Sequence, residues 1–448
     1  MTGHYDIVIV GGGNAAFGAS SIAAEAGKKI AFVEEWDFGG TCPNRGCTPK
    51  KVLVAAAHAL HEIEIAKAHC IDVGKPTLDW AGLIDREKAM IESIPQRMAD
   101  LAGKRGDVFR GHARFVGPNR IAVGERRLEA EHIVIATGSK PRPLPIPGAE
   151  HLITSDDVLS ERRQPKEVVF IGGGVVAMEF SHVYARAGTR VTILEALPQV
   201  LSGQDADAVG KLLEESARIG ITVKTGVEVK QIAASDERFK VTYLHEGAEG
   251  EVSAERVVNG AGRIANVDSL DLEAGEVRRD GVRIEVEPCL RSVSNPSVWV
   301  CGDALVSSAQ LSPIATYEGQ IVARNIVAGT EEAPDYRSVP SCVYTVPALA
   351  SVGLTEAEAK ARGLKFSASV NDMTGWLSAR TYAETVAWAK VLVEEGSRHI
   401  LGAQIVGHGG EELIHLFALA IRHEITAAEL KSAVFGFPTF SSDVKNLI

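Results

Sequence analysis

Tyr5-Asp-Ile-Val-Ile-Val10-Gly11-Gly-Gly13-Asn-Ala-Ala16 decides how the rest of the chain is read. The short Ile/Val run has the unbroken apolar character of a strand buried on both faces of a parallel sheet. A small-residue helix follows through Ala26, then the strand Lys29-Ile-Ala-Phe-Val33, which ends at Glu34. In such a strand–turn–helix–strand unit, Gly11 permits the tight turn and Gly13 lets backbone amides approach a pyrophosphate. Ala16 lets the helix pack closely. Glu34 stands where a carboxylate accepts hydrogen bonds from a ribose hydroxyl. The glycine pattern alone would be a weak signal; with strand, helix and acid in place it predicts a dinucleotide-binding domain.

The design recurs. Lys166-Glu-Val-Val-Phe-Ile171 leads into Gly172-Gly-Gly174-Val-Val-Ala177, and the strand Arg190-Val-Thr-Ile-Leu194 ends at Glu195. Gly172, Gly174 and Ala177 repeat the three small-residue roles, so the chain is expected to bind two dinucleotides. Glu195 would accept from an unmodified ribose and repel a 2′-phosphate, and Ala196-Leu-Pro-Gln-Val-Leu201 has no arginine to clamp one. NADH is expected in preference to NADPH.

Between the two units lies Gly39-Gly-Thr-Cys42-Pro-Asn-Arg-Gly-Cys47-Thr-Pro-Lys-Lys51. Positions i and i+5 of a regular helix are too far apart for an S–S bond. Pro43 removes a donor, Gly46 allows an unusual backbone angle, and Pro49 is expected to stop a helix from running straight through. The bend should bring Cys42 and Cys47 together as a dithiol/disulfide switch beside a flavin. Two plainer readings compete. A zinc half-site usually has tighter spacing and a second ligand pair, but Cys70, Cys289, Cys301 and Cys342 are isolated. A purely structural disulfide is uncommon in a reducing cytosol. Lys50 and Lys51 are placed to supply positive charge, which lowers a thiol pKa. No metal site is expected, and His58 and His61 on the following helix (52–69) read as ordinary satisfied histidines.

The 448 residues allow two to four domains. A formal charge of −11 argues against nucleic acid or an anionic membrane as partner. No leader is visible before the first strand, and no uncharged apolar run reaches membrane-spanning length, so a cytoplasmic chain is expected. Residues 107–135 suggest a small β-meander ending in Ile133-Val-Ile-Ala-Thr137-Gly138. Pro141-Arg-Pro-Leu-Pro-Ile-Pro147 is a stiff crossover at a domain boundary. After the second unit come a β-rich stretch (222–244) and Arg256-Val-Val-Asn-Gly-Ala-Gly262-Arg, a strand into a glycine turn. Ser297-Val-Trp-Val-Cys-Gly-Asp303 places a carboxylate beside a ligand at a strand end. Leu311-Ser-Pro-Ile-Ala315 opens a helix to about Ala328. A linker (335–341) leads to alternating strands, a helix around 411–423, and the closing run Phe435-Gly-Phe-Pro-Thr-Phe-Ser-Ser-Asp443.

Taken in order, the two glycine turns, the Cys42/Cys47 pair, Ala136-Thr-Gly138, Gly302-Asp303 and the C-terminal module resemble, end to end, the FAD-dependent pyridine nucleotide-disulfide oxidoreductases. That family includes glutathione reductase, dihydrolipoamide dehydrogenase and mercuric reductase. The resemblance implies an α/β fold with two Rossmann-like dinucleotide-binding domains and a C-terminal α+β dimerisation domain. The boundaries would be 1–149 and 265–335 for FAD, 150–264 for NAD(P), and 336–448 for a homodimer interface. It also implies that a reduced nicotinamide passes electrons through the flavin to the cysteines and on to a small-molecule acceptor. Cys42 would exchange with substrate and Cys47 would contact the flavin as a thiolate. Lys50 or Lys51 would pair with Glu179 behind the nicotinamide site. Gly40, Thr41, Thr137, Gly138, Asp303 and Ala315 join Gly11, Gly13, Ala16 and Glu34 as expected flavin-cofactor contacts. Gly262 joins the second set.

One position departs from the family pattern. Disulfide reductases present His-Pro-Thr near the C-terminus, followed by a Glu that orients the His as acid/base. Here the run is Phe437-Pro-Thr-Phe-Ser-Ser442-Asp443. Phenylalanine cannot transfer a proton, and an ordinary Asp is a poor acid at neutral pH. A disulfide substrate with a rewired or water-borne proton path remains the first expectation. The alternatives are a metal ion or quinone acceptor, a 2-ketopropyl-coenzyme M oxidoreductase/carboxylase-like reaction, and a non-catalytic redox sensor. Mercuric reductase would need a further C-terminal cysteine pair, and no cysteine follows Cys342. A base could also come from elsewhere, with His408 and His415 the nearest candidates in sequence.

Overall fold

The structure, a computed structural model, describes residues 2–236, 238–306 and 309–448. It divides into two compact units. The first comprises Met1–Lys50, Asp85–Arg142 and Arg263–Asp335; the second comprises Lys51–Ile84, Pro143–Gly262 and Tyr336–Ile448.

The first unit is built on the strand Thr2–Val10, which pairs in parallel with Ile30–Glu34 on one side and with Arg126–Ile135 on the other. Asp107–Arg110 extends the sheet beyond Ile30–Glu34. Arg126–Ile135 changes partners along its length. Its first half closes an antiparallel meander with Arg120–Val123 and Ala113–Gly117, and its last three residues take Val298–Val300 in parallel. The expected meander is therefore part of the main sheet, with Asp107–Arg110 on its opposite edge. Val8, Ile9, Ile133, Val134, Ile135, Val298 and Val300 are fully buried, as the apolar runs predict.

Two helices, Asn14–Glu25 and Ser312–Ala328, cross at glycines. A Cβ added at Gly18 would lie 2.3 Å from the Thr316 carbonyl oxygen, and one at Gly319 would lie 2.1 Å from that of Ala15. No larger residue fits that crossing, which explains why the first helix is rich in small residues.

The second unit contains a parallel sheet in the order Ile221–Lys224, Arg190–Leu194, Glu167–Ile171, Arg256–Asn259. An antiparallel trio, Glu228–Ser235, Arg238–His245 and Ala248–Ala254, accompanies it. A five-stranded antiparallel sheet runs Ser341–Val343, Ala348–Gly353, Ile400–Gly407, Trp388–Glu394, Phe366–Asp372, with the helix Gly410–Arg422 packed on it. Lys390 ties this sheet to the helix Ala206–Arg218. Its side chain is 2% exposed, and its ammonium lies 3.0 and 3.1 Å from the carboxylate of Asp205, the residue that N-caps that helix, and 2.9 Å from Glu356. Among the described residues, no helix is long and apolar enough to cross a membrane.

Candidate active site

The cysteine stretch folds as two helices with one glycine between them. Thr41–Arg45 ends at Gly46 (φ −139°, ψ −116°), and Cys47–Ile65 begins at once. A Cβ on Gly46 would sit 2.9 Å from the Thr41 carbonyl oxygen, so the fold between the helices excludes a side chain. This break brings Cys42 and Cys47 within hydrogen-bonding contact as thiols. The expected part played by Pro49 is corrected. It lies in the first turn of the Cys47–Ile65 helix, where backbone N–H groups have no intrahelical partner, and the ladder begins with Lys50 N–H donating to Gly46 O at 3.0 Å. Gly46, not Pro49, interrupts the helix.

The loop is locked to the first nucleotide turn. Gly39 N–H donates to Gly12 O at 2.8 Å, and a Cβ on Gly40 (φ +67°) would stand 2.8 Å from the Cα of Gly13. Two side chains that the sequence did not single out reach the sulfurs. Ser312, the first residue of its helix, places Oγ 3.5 Å from Cys47 Sγ. Ser312 and Asn14, the latter the first residue of the Asn14–Glu25 helix, also hydrogen-bond Cys42. The hydrogen bond to Cys47 pushes the Cys42 thiol well above its ordinary range, burial adds to this, and Ser312 and Asn14 oppose it. Asn14 opens the helix of the first nucleotide turn, the one signal in the sequence that could have pointed to it; Ser312 follows Leu311 with no such signal.

Around that turn, Glu34 accepts Gly12 N–H at 2.6 Å through Oε2 and Trp36 N–H at 2.7 Å through Oε1. Burial raises its pKa against those backbone bonds. Ala16 is fully buried. A Cβ on Gly11 would lie 2.2 Å from the Ala136 carbonyl oxygen, which holds the turn against Thr137-Gly138. Thr137 Oγ1 is buried without a hydrogen-bond partner. Gly302 (φ +69°) abuts Ala15 and Ala315, and its N–H donates to the buried Glu318 at 2.7 Å. Asp303 accepts from Ser139 Oγ at 2.9 Å, and Arg263 braces Ser139 at 2.9 Å. Burial raises the Asp303 pKa. Glycine backbones, an orphaned hydroxyl and a braced carboxylate fit the donors and acceptors of a flavin dinucleotide.

The second turn repeats the first. Glu195 accepts Gly173 N–H at 2.5 Å and Leu197 N–H at 2.7 Å. Gly174 N–H donates to Gly260 O at 3.4 Å, and a Cβ on Gly260 would lie 2.8 Å from that of Ala177. Gly172 (φ +94°) and Gly262 (φ +89°) occupy backbone conformations that favour glycine. The residue types fit a second dinucleotide.

Lys51 lies 3.8 Å from Glu411 and 3.9 Å above the Tyr344 ring, about half exposed. Lys50 is buried. Glu179, also buried, accepts Tyr344 N–H at 2.8 Å. Phe437 is 76% exposed. Thr439 N-caps the short helix Phe440–Asp443 in a reciprocal capping box with Ser442, and Asp443 is hydrogen-bonded by Ser378. The serine at the aligned acid position is thus a cap, and the late aspartate is already engaged. His415 is exposed, whereas His408 is bonded to Glu384.

A dithiol seated on one nucleotide turn, with a second turn of the same construction, defines a two-nucleotide redox protein. Residues 5–319 match the model described as pyridine nucleotide-disulphide oxidoreductase, and residues 339–448 match that of its dimerisation domain. The chain is 33% identical to glutathione reductase of Burkholderia cepacia, over 99% of this chain and 98% of that one. It is 30% identical to dihydrolipoyl dehydrogenase of Chlamydia pneumoniae, over 98% and 95%. The Cu(II) complex of the HOCl-induced flavoprotein disulfide reductase RclA from Escherichia coli shares the fold, with a TM-score of 0.87, 24% identity, and coverage of 99% and 98%. The chain belongs to the pyridine nucleotide-disulphide oxidoreductase family. It is a flavin-dependent oxidoreductase of the disulfide reductase type, with FAD and a pyridine nucleotide as the family's cofactors and a dimerisation domain at its C-terminal end.

Proposed function

We propose that this chain is a cytoplasmic homodimeric reductase. It would take a hydride from NADH, pass the electron pair through FAD to a Cys42–Cys47 disulfide, and deliver it to a small disulfide. The observation that carries this is the sulfur pair, hydrogen-bonded by Asn14 and Ser312 in a loop locked to the first glycine turn by Gly39 N–H donating to Gly12 O. Bound FAD supplies the two-electron relay between nicotinamide and sulfur. The protein's part is to cleave the S–S bond with two electrons and to hold one sulfur as thiolate. Ser312 stabilises that charge through its hydroxyl; Cys42 then attacks the acceptor disulfide and expels one acceptor thiol, and Cys47 attacks the resulting mixed disulfide to release the second and re-form the Cys42–Cys47 bond. Two electrons and two protons per disulfide balance one hydride plus one proton from solvent.

Lys50 suits the role the family gives to a lysine better than Lys51, whose ammonium is engaged by Glu411 and Tyr344. Glu195, with both oxygens fixed by backbone amides, supports NADH over NADPH. Val434 and Phe437, 99% and 76% exposed, are apolar surface of the kind a dimer covers. The division into FAD, NAD(P) and interface domains at 149/150, 264/265 and 335/336 is part of the same reading.

Phe437, the capping Ser442 and the engaged Asp443 favour one second reading: an acceptor whose reduction needs no proton donated by a protein acid, such as a metal ion, or a quinone that takes its protons from water. An acceptor screen with NADH, covering disulfides, metal ions, quinones and oxygen, separates the two. Turnover confined to disulfides supports the first reading, and turnover confined to the others replaces it. Slow flavin reduction with no acceptor would leave a redox sensor.

A further inference from the structure

We propose that Glu62, Glu384 and His408 form a binding site for a divalent transition-metal ion in the second unit. One ligand atom from each of Glu62, Glu384 and His408 lies within 4.8 Å of the others. The residues converge from three places. The Cys47–Ile65 helix carries His58, His61 and Glu62 at spacings of three and four, which share one face. Glu384 stands just ahead of the strand Trp388–Glu394, and His408 directly follows the strand Ile400–Gly407.

Glu384 is the anchor. Its side chain is only 3% exposed, Oε1 lies 2.7 Å from His408 Nδ1, and Oε2 lies 3.4 Å from His61 Nε2. His61 is 2% exposed, and its Nδ1 is buried without a hydrogen-bond partner. The His58 ring stands 6.5 Å from that of His408 and 6.4 Å from that of His61. Tyr382 and Phe440 stack on the His408 ring at 5.1 and 4.9 Å and fix its plane.

A fully satisfied His–Glu pair would explain His408 and Glu384 alone. It does not explain a second carboxylate and two more imidazoles gathered around them. The side chain of Glu384, 3% exposed, brings a carboxylate charge out of water that calls for a positive counter-charge. Mixed imidazole and carboxylate donors suit zinc, cobalt, nickel or copper rather than calcium or magnesium. Carboxylate-oriented histidine is the usual support of such ligands. Occupancy would clamp the helix that begins at Cys47 to two loops of the C-terminal sheet.

The test uses flavin-loaded protein carrying Cys42→Ser and Cys47→Ser, so that the dithiol does not compete. One equivalent of Co(II) is added, the protein is desalted, and retained cobalt is counted. The expected result is one Co(II) per chain with no thiolate-to-cobalt charge-transfer band. Glu62→Gln, at an exposed position that leaves the fold untouched, and His408→Ala should each weaken binding about 10–100-fold. His415→Ala should not. Loss of all cobalt on desalting overturns the proposal. So does a thiolate band, or equal retention by Glu62→Gln, His408→Ala and His415→Ala.

Discussion

Removing the Ser312 hydroxyl should make the sulfur pair harder to ionise. Ser312 Oγ lies 3.5 Å from Cys47 Sγ and also hydrogen-bonds Cys42, where it pulls the thiol pKa down against the push from Cys47 and burial. A hydrogen bond to a charged group is worth about 1.5–3 kcal/mol, and this long sulfur contact belongs at the low end. A loss of about 1.5 kcal/mol corresponds to about one pKa unit. Ser312→Ala should therefore move the pH profile of dithiol alkylation upward by about one unit. Ser312 starts a helix that packs through glycines, and alanine fits there, so folding should be unchanged. The assay reduces the enzyme, quenches iodoacetamide labelling at a series of pH values, and counts labelled Cys42 and Cys47 by mass spectrometry. An unmoved profile in a correctly folded, flavin-loaded variant would refute the assigned role of Ser312.

Other expectations follow from the same geometry. Phe437→His should raise turnover of a disulfide acceptor by about 100-fold, the low end of acid/base assistance because no carboxylate is placed to orient the new ring; steady-state kinetics with glutathione disulfide and lipoamide will show it. Lys390→Met leaves the buried Asp205 carboxylate without its ammonium and should cost about 3–5 kcal/mol in urea unfolding. His182 is fully buried, and burial holds its pKa down to about 3. The unfolded chain takes up a proton near pH 6.5 that the native chain refuses. Stability should therefore fall by about 1.4 kcal/mol per pH unit from roughly pH 6.5 to 3, and His182→Gln should flatten that part of the curve.

What could be read from the sequence was what the backbone itself demands. The two glycine turns, their acidic strand ends and the paired cysteines depend on neighbours within about forty positions, and the small residues there leave few alternatives. Contacts between distant segments were not legible. Ser312 meets Cys47 across 265 positions of chain, and nothing in Leu311-Ser-Pro-Ile announces a sulfur. Lys50 and Lys51 are adjacent on a helix and point about 100° apart, so only packing decides which ammonium turns toward Glu411. Pro49 reads as a helix stop, yet it lies where a helix begins, because Gly46 had already broken the ladder. Phe437 was visible as a missing base. That Ser442 is spent on a cap and Asp443 on Ser378 depended on the fold around them. His58 and His61 looked like ordinary helical histidines because Glu384 and His408 arrive more than three hundred residues later.

The most direct test of the route assigned to the electrons is a thiol count on the purified, air-oxidised protein before and after one equivalent of NADH under argon. The account predicts a yellow protein in which Cys42 and Cys47 resist iodoacetamide at first and are both labelled after NADH, with no change at Cys70, Cys289, Cys301 or Cys342. A flavin that bleaches while Cys42 and Cys47 stay unlabelled would contradict it.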